Sequence, residues 1–406
     1  MLQKKIRELK LKQFFEIQHL LSNISEDSKN LLKDYDSIVQ SVRPLSSKQQ
    51  QILPNAIKNL SHLLTDERGA RRTGYLNDTV TLSAYVRYFQ WWNLLRLVPL
   101  FSSLETQVLN LSENSVCLDI GSGPLTVPIA LWIACPHLRT KKLHWYCLDH
   151  SHGAMAFGED LFLAVVAKTA QETNTQLEPW KITRIKGELG TPLREKANFV
   201  VCANMFNEVV QISDKPPEYT AKKAVSYLSE YASEGGRILV VEPGIPPSVR
   251  FLSAFRSFLL RKKYKILAPC PHALDCAMDG RKGGKWCHFV LPVEYNTMFS
   301  KLKKLSVSAG LPKDRLTFSF ILAAKEVATL DSSEKEQFKF VARVASDSIK
   351  LPRNLMGYYA CSEKGLTLFT ETQTNKKLTS GDLVTLFQLK KTTLDKKTGA
   401  TVISLN

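Results

Sequence analysis

Five short runs rich in Val, Ile and Leu alternate with helix-length segments between residues 112 and 244, and this alternation constrains the fold more than any other feature. Such alternation predicts βαβ units, whose strands lie parallel in a sheet that is covered on both faces. Because these crossovers are right-handed, the sheet is expected to be doubly wound. The runs are SVCLDIG (115–121), LHWYCLD (143–149), ITRIKG (182–187), NFVVCAN (198–204) and GRILVVEPG (236–244).

The flanking regions differ from this pattern. Residues 1–105 indicate a helical N-terminal region, and residues 331–406 alternate like a small β-rich C-terminal module. The predicted sheet domain spans 106–330 and includes a cysteine-rich loop at 268–290. The runs WCHFVLPV (286–293) and RLTFSFILAAK (315–325) are expected to supply a closing antiparallel pair of strands. A first amphipathic helix is predicted from residues at roughly helical spacing: Ile6, Leu9, Phe14, Ile17 and Leu21.

The turn LDIGSGPLT has the features of a nucleotide pocket. Gly121 and Gly123 let the backbone approach a ligand without an intervening Cβ. Asp119 ends the first strand at the carboxyl edge of the sheet, where open α/β sheets bind ligands, and Asp149 ends the second, where a carboxylate can accept both hydroxyls of a ribose. Sheets that bind dinucleotides also have a glycine turn and an acidic residue at these strand ends, so the glycines alone do not identify the ligand.

The pattern D-I-G-S-G-P, with VVCANMFNEV and LVVEPG in the fourth and fifth strand positions, resembles the S-adenosylmethionine-dependent methyltransferases. The resemblance implies an α/β fold of the class I methyltransferase (Rossmann-like) type, with S-adenosylmethionine as cofactor. The chain departs from the pattern at Leu125, where a small residue is usual; this side chain is expected either to crowd the cofactor or to pack under the helix. No catalytic signature is present, and the candidate catalytic residues are Asn204 and Glu208. Cys202 is interpreted as core.

A second set of cysteines suggests a metal site. Cys270, Cys276 and Cys287 share one loop rich in Gly, Pro and charge, and Cys361 is the only other cysteine outside the apolar runs. Clustered cysteines in a chain with no secretory signal usually bind metal, and four thiolates suit either zinc or an iron–sulfur cluster. His272 and His288 are alternative zinc ligands. The remaining cysteines are expected to be buried as small hydrophobic residues: Cys117, Cys135, Cys147 and Cys202.

The blocks PCPHALDC and KWCHF, with Glu242-Pro243-Gly244 before them and Arg343 ahead of Cys361, resemble a family of methyltransferase-like proteins. This is the mitochondrial small-ribosomal-subunit assembly family with its bacterial relatives, and the fit covers about residues 65–406. The resemblance implies a [4Fe–4S] cluster held by Cys270, Cys276, Cys287 and Cys361. It also implies small-subunit ribosomal RNA as partner, in the cytoplasm for a bacterial-type relative or in the mitochondrial matrix for a eukaryotic one.

The charge balance agrees with a polyanionic partner. The chain has 55 Lys and Arg against 38 Asp and Glu, a formal net charge of +17. Nucleic acid is the first candidate and an anionic membrane the second, but no apolar stretch approaches the ~20 residues of a membrane span. We expect a monomer that acts as an RNA-binding assembly factor; an active rRNA methyltransferase is the alternative. The candidate RNA-binding residues are Arg261, Lys262, Lys263, Arg281, Lys282 and Lys285.

Overall fold

A computed structural model describes residues 15–21, 24–65, 74–104, 109, 111–212, 214–293, 300–325, 340–372, 377–387 and 392–405. Its α-helices are α1 (Glu26–Val42), α2 (Ser47–Thr65), α3 (Thr79–Ala84), α4 (Trp91–Leu104), α5 (Thr126–Ala134), α6 (His152–Thr173), α7 (Phe206–Ile212), α8 (Pro217–Tyr231), α9 (Pro246–Arg261) and α10 (Ser300–Ser308). Its strands are β1 (Phe15–Gln18), β2 (Val116–Ile120), β3 (His144–Asp149), β4 (Lys181–Lys186), β5 (Ala197–Ala203), β6 (Ala232–Pro243), β7 (Tyr264–Ala268), β8 (Phe289–Pro292), β9 (Arg315–Lys325), β10 (Phe340–Leu351), β11 (Leu355–Ser362), β12 (Gly365–Thr372), β13 (Leu383–Leu386), β14 (Thr393–Leu394) and β15 (Thr401–Ser404).

The central sheet has the strand order β4-β3-β2-β5-β6-β9-β7. The first five strands are parallel, and the order reverses between β2 and β5, which is the position where doubly wound sheets bind ligands. Strand β9 is inserted antiparallel between β6 and β7. This arrangement confirms the class I methyltransferase fold that the sequence predicts.

Alternate side chains of the parallel strands enter two separate cores. Cys117, Trp145 and Val201 face a core shared with α1, α4, α5 and α6. Leu118 and Tyr146 face the opposite core, which is shared with α8 and α9. Burial on both faces explains why these strands are continuous apolar runs rather than alternating ones. It also confirms the prediction for Cys117, Cys135, Cys147 and Cys202, all of which are buried.

The helices α3 and α4 are joined through a π-helix over Tyr85–Gln90, and together they cover the turn after β2. Gln90 Nε2 donates a hydrogen bond to the Pro124 carbonyl oxygen at 2.7 Å, and Trp91 Nε1 donates to Leu32 O at 3.0 Å. Tyr88 and Trp92 are also buried, so the aromatic side chains of this segment contribute to the core. No helix in the described ranges is both long and apolar enough to cross a membrane.

The structure corrects one expectation about strands and confirms another. Residues 15–18, inside the predicted amphipathic helix, form β1, which pairs with β13 of the C-terminal sheet; Ile6, Leu9 and Phe14 lie outside the described residues. The runs 286–293 and 315–325 supply an antiparallel pair as predicted, since β8 pairs with β9. Strand β7, within a segment that the sequence left unassigned, is a further antiparallel partner of β9. Strands β1 and β7 are four and five residues long, so alternation in them is too brief to distinguish from helix.

The C-terminal sheet has the order β1-β13-β10-β11-β12-β15-β14. Its strands are antiparallel except for the β12–β15 pair, which is parallel. The sheet contacts the end of the cysteine-rich loop, where the His288 amide donates to Ala345 O at 3.0 Å. The N-terminal segment is tied to it as well, because His19 Nδ1 lies 2.7 Å from Asp382 Oδ1.

Gly158 on α6 should be sensitive to substitution. A Cβ at this position would lie 2.4 Å from the Pro124 carbonyl carbon, which belongs to the turn after β2. We expect Gly158→Ala to lower the free energy of unfolding by about 1–3 kcal/mol, because overpacking forces the backbone apart. Thermal or urea unfolding measures the effect. Gly153→Ala on the same helix is the control, since its Cβ would meet no atom nearer than 3.9 Å; equal stability of the two variants would contradict the close approach.

Candidate functional site

The turn after β2 is shaped by two glycines with positive φ. Gly121 has φ 73° and Gly123 has φ 49°, and the Gly121 amide donates to Leu148 O at 2.8 Å. A Cβ at Gly121 would lie 3.0 Å from the Met205 side chain. The turn therefore leaves backbone exposed to a ligand only as long as Gly121 has no side chain.

Asp149, at the end of β3, is held against this turn. Its Oδ2 accepts a hydrogen bond from the Gly123 amide at 2.9 Å, and its Oδ1 accepts one from the Ser151 amide at 2.8 Å. A carboxylate oxygen can accept two hydrogen bonds, so both atoms retain capacity for ligand hydroxyls. The structure thus brings the glycine turn and Asp149 together.

Asp119 is buried beside Asp149 and lacks hydrogen-bond partners. Its side chain is 1% exposed, and neither carboxylate oxygen finds a partner among the described residues. The nearby Ser122 hydroxyl donates instead to the Asp119 backbone carbonyl at 2.7 Å. Burial raises the pKa of Asp119 well above its usual value, and the charge of Asp149 raises it further. A buried carboxyl group without partners is costly, so a ligand that brings a hydrogen-bond donor or a positive charge would be stabilised here.

The region at the carboxyl edge beside the Gly121–Gly123 turn, Asp119 and Asp149 is called the cleft below. The Leu125 side chain does not enter it. Its side chain is fully buried in the core shared with α5 and α6, and its backbone has a left-handed φ of 54° at the start of α5. The second of the two expectations for this residue, packing under the helix, describes its position. The cleft is instead bordered from the N-terminal region, since a Cβ at Gly123 would lie 3.8 Å from Leu76.

The segment after β5 is fixed by a buried carboxyl group from β6. Glu242 accepts hydrogen bonds from the Phe206 and Asn207 amides at 2.8 and 2.9 Å, and so caps the first turn of α7. Burial raises the pKa of Glu242 to about 8, although these two hydrogen bonds oppose the shift. Sequence reasoning gave Glu242 only as part of a turn motif. Its position explains how the segment that carries Asn204 and Glu208 is held at the carboxyl edge.

The two candidate catalytic residues both lie at this edge. Asn204 directly follows β5 and has a left-handed φ of 59°, a conformation that Asn tolerates better than most residues. Glu208 lies near Tyr85 of the π-helix. Burial raises the pKa of Tyr85, and the charges of Glu208 and Asp149 raise it further. Glu208, Asp149 and Tyr85 are therefore close enough to influence one another electrostatically.

The four candidate cysteine ligands are neighbours. Burial raises the pKa of the Cys287 thiol, and the thiols of Cys276, Cys270 and Cys361 raise it further. Burial likewise raises the pKa of Cys361 to about 12, with additional contributions from Cys276 and Cys270. Within the described ranges, no three His, Cys, Asp or Glu side chains are arranged as a preformed metal site. The loop fold thus brings the thiols together without setting ligand geometry.

Two arginines lie beside the cysteine group. Arg256 of α9 donates to His272 O at 2.6 Å, and Arg343 of β10 donates to Pro269 O at 3.0 Å and Gly381 O at 2.8 Å. Both cations oppose the rise in the pKa of Cys270 that burial causes. Arg256 is 2% exposed and therefore belongs to the interior, whereas Arg343 is partly buried.

The two histidines differ in their relation to the thiols. His272 Nε2 lies 3.2 Å from Cys361 Sγ. His288 has both ring nitrogens engaged elsewhere: Nδ1 lies 3.0 Å from Trp286 O, and Nε2 accepts from the Asp347 amide at 3.3 Å. This pattern places the proton on Nδ1. His272 adjoins the cysteine group, whereas His288 connects the loop to the C-terminal sheet.

The candidate RNA-binding residues fall into two groups. Arg281 and Lys282 lie in the cysteine-rich loop, which approaches the start of α9 so closely that a Cβ at Gly280 would be 2.7 Å from Pro246 O. Arg261 and Lys262 lie at the other end of this helix, roughly 22 Å away at 1.5 Å per residue. The two groups of basic residues are close in the sequence, but they lie at opposite ends of α9 and therefore do not form one continuous face.

Within the loop group the cations have different surroundings. Arg281 pairs with Asp279 at 2.5 Å, although its side chain is 82% exposed. Lys285 Nζ lies 4.3 Å from the Tyr359 ring centroid and so contacts the C-terminal sheet. Lys282 is exposed. At the far end of α9, Lys262 and Lys263 are exposed and Arg261 lies over the Phe258 ring.

Comparison with solved structures returns methyltransferases at low similarity. Precorrin-6y C5,15-methyltransferase from Geobacter metallireducens is 13% identical, with a TM-score of 0.32 over 56% of this chain and 86% of that one. A ribosomal protein L11 methylase from Lactobacillus delbrueckii subsp. bulgaricus is 13% identical, with a TM-score of 0.27 over 44% and 73%. A methyltransferase from Pyrococcus furiosus is 10% identical, with a TM-score of 0.27 over 53% and 78%. The fold assignment rests on the strand order described above.

No curated protein matches the chain in sequence. The profile of one protein family does match, and it spans residues 97–376, from within α4 to the segment after β12. The matched region contains the glycine turn, Asp149, Glu242 and all four clustered cysteines. Because it covers more than half of the 406 residues, the chain belongs to the family described as mitochondrial small ribosomal subunit Rsm22.

Proposed function

We propose that this chain is an iron–sulfur-containing, S-adenosylmethionine-binding protein that binds small-subunit ribosomal RNA as an assembly factor. One observation carries the proposal: the cofactor cleft, the cysteine group and the loop cations all lie toward the carboxyl edge of one sheet. The description of the family supports a role on the small ribosomal subunit and favours the mitochondrial matrix as the location. The family description does not favour the alternative location, the cytoplasm.

The cleft fits S-adenosylmethionine by its donor and acceptor groups. The Gly121–Gly123 turn has no Cβ to block a ligand, and Asp149 has acceptor capacity for ribose hydroxyls. The unpartnered Asp119 carboxyl group would be stabilised by the positive charge that this cofactor carries. When bound, the cofactor supplies an electrophilic methyl group on a sulfonium. The residues of this chain bind and orient it and keep water from the buried carboxyl groups.

The cysteine group fits a [4Fe–4S] cluster by ligand type and charge. Four thiolates and a bound cluster leave net negative charge, and the cations of Arg256 and Arg343 lie beside it. Burial raises the pKa of the Cys270, Cys287 and Cys361 thiols, so metal binding must displace their protons. Cys361 comes from β11 and the other three from the loop, so ligation would join the C-terminal sheet to the central one. Zinc on the same thiolates is the alternative.

For RNA we assign the main contact to the loop group rather than to the end of α9. Lys282 is exposed on the same loop as three of the cysteines, and Lys285 bridges to the C-terminal sheet. A cluster that orders this loop would therefore also order its cations. Lys262 and Lys263 face the opposite edge of the sheet, away from the cleft.

An active rRNA methyltransferase is the second candidate. It is favoured by the strained Asn204 and by Glu208, which lies with Tyr85 at the cleft. Backbone strain of this kind concentrates at functional sites. Mapping RNA crosslinked to the protein in cells, with the modification mass at those sites, separates the two: an added methyl group that disappears with Glu208→Gln establishes the enzyme.

Asp149→Ala should weaken binding of S-adenosylmethionine by about tenfold to a hundredfold, because a hydrogen bond to a charged group contributes roughly 1.5–3 kcal/mol. Isothermal titration calorimetry measures the change. Asp160→Ala is the matched control, since Asp160 is exposed on α6. No binding by the unsubstituted protein at millimolar ligand would remove the cofactor from the proposal and leave only the fold.

Cys276→Ser should abolish the cluster. Anaerobically purified protein is expected to be brown with about four irons per chain, and the variant colourless with its loop open to protease. Metal analysis, visible absorbance and limited proteolysis test this. Cys135→Ala is the control, because Cys135 is buried at the end of α5. One zinc per chain would overturn the iron–sulfur assignment, and full iron content in the variant would remove Cys276 from the site.

Lys282→Glu should weaken RNA binding about tenfold and reduce the slope of log affinity against log salt, because fewer counterions are released. Lys262→Glu, equally exposed at the far end of α9, should change affinity less than about twofold. Filter binding or fluorescence anisotropy over a salt series measures both. The assignment of RNA to the loop group is wrong if Lys262→Glu has the larger effect.

A further inference from the structure

We propose that Arg96 and Lys313, which lies over the buried rings of Tyr88 and Trp92, form a subsite for a phosphate group of the bound RNA, beside the cofactor cleft. The inference rests on the proposed RNA-binding function and adds to it a place where the strand is held. Neither cation belongs to the loop group, and the sequence patterns gave no sign of the pair.

The subsite lies at the functional edge of the sheet. Lys313 precedes β9, whose Phe318 pairs with Pro243 at the carboxyl end of β6. The segment is fixed from the other side by Tyr88, whose hydroxyl donates to Leu311 O at 2.9 Å. Lys313 is therefore held between the N-terminal helices and the edge where the cleft opens.

The two cations are close together in partly apolar surroundings. Lys313 Nζ lies 5.7 Å from the Tyr88 ring centroid and 5.5 Å from that of Trp92. Arg96 Nη1 donates to Asn93 Oδ1 at 2.9 Å, but its buried Nε donates to no acceptor among the described residues. An unsatisfied guanidinium N–H is suited to an oxyanion, and a phosphate can engage the planar fork of Arg together with the point charge of Lys.

The charges around Lys313 favour an added anion. Burial lowers the pKa of Lys313 to about 7, and the neighbouring Arg96 lowers it further. Burial also lowers the pKa of Arg96 to about 10, opposed by the hydroxyls of Tyr85 and Tyr88. A bound phosphate would reverse both effects, since an opposite charge favours the protonated forms. Of the adjacent charges, Asp314 is exposed and Arg315 pairs with Asp347.

The subsite lies within electrostatic range of the cleft. The charges of Asp149 and Glu208 raise the pKa of Tyr85, and Tyr85 in turn raises the pKa of Arg96. A phosphate at Arg96 and Lys313 would therefore place its nucleotide next to the cleft.

The test uses the full-length protein and a single-stranded oligouridylate of about 12 nucleotides, the length that a single-strand groove commonly covers. Lys313→Met keeps the length of the side chain and suits its aromatic neighbours, and Arg96→Lys keeps the charge but removes the fork. Lys304→Met, exposed on α10, is the matched control. We expect Lys313→Met to weaken binding about tenfold and to lower the salt slope by about one, with a smaller loss for Arg96→Lys and none for the control.

The pH profile distinguishes phosphate contact from a packing role. The protonated form of Lys313 binds the anion, so the affinity of the unsubstituted protein should fall as pH rises through about 7, and Lys313→Met should not show this fall. Equal affinity and salt slope for Lys313→Met and Lys304→Met overturn the subsite alone. A variant that loses S-adenosylmethionine binding but keeps RNA binding assigns the pair to the cofactor carboxylate and likewise overturns it. Absence of RNA binding by the unsubstituted protein overturns the proposed function as well.

Discussion

Burial of both faces of the central sheet is the constraint on which the rest of the structure depends. The strands β2, β3, β5 and β6 fill one core with alternate side chains and a second core with the others, so neither face is left for a ligand. Polar groups can then collect only where the strands end. Asp119, Asp149 and Glu242 all do so at the carboxyl edge, and burial raises the pKa of Asp119 and Glu242 at that edge. Backbone amides satisfy Asp149 and Glu242, whereas neither carboxyl oxygen of Asp119 has a partner among the described residues, so a donor or a positive charge would be stabilised beside it.

The cysteine-rich loop is joined to this edge by backbone contacts as well as by side chains. Trp286 Nε1 donates to Gly244 O at 3.0 Å, and a Cβ at Gly244 would lie 2.9 Å from the Phe318 amide nitrogen. The turn after β6 thus touches the loop on one side and β9 on the other. Arg343 extends the connection to the C-terminal sheet through Pro269 and Gly381. The loop is therefore in direct contact with the turn that follows Glu242, and Glu242 in turn holds the segment that carries Asn204 and Glu208.

The sequence predicted those parts of the fold that depend on local pattern. The five apolar runs correspond to β2–β6, and the glycine turn and Asp149 meet as their positions at strand ends require. Strands β1 and β7 were missed because four or five residues are too few to show a period, and β1 is formed only by pairing with a strand more than 360 residues later. The basic residues at 261–263 and 281–285 are close in sequence but separated by the length of α9. The Arg256–Arg343 pair and the Arg96–Lys313 pair each come from segments that are distant in the sequence. Local sequence patterns cannot predict that such residues lie close together.

The position of Leu125 shows how a departure from a motif can be accommodated without loss of the cleft. The turn is approached closely from α6, where Gly158 lies directly against Pro124 and any side chain would collide with the backbone. Leu125 itself fills the core, at the cost of a left-handed conformation that disfavours a branched residue by roughly 1–2 kcal/mol. The burial of a Leu side chain contributes about 1.5–3 kcal/mol, which is enough to offset that strain. Leu125 is therefore compatible with the glycine turn because its side chain is buried in the core, while Gly158 leaves room for the adjacent Pro124.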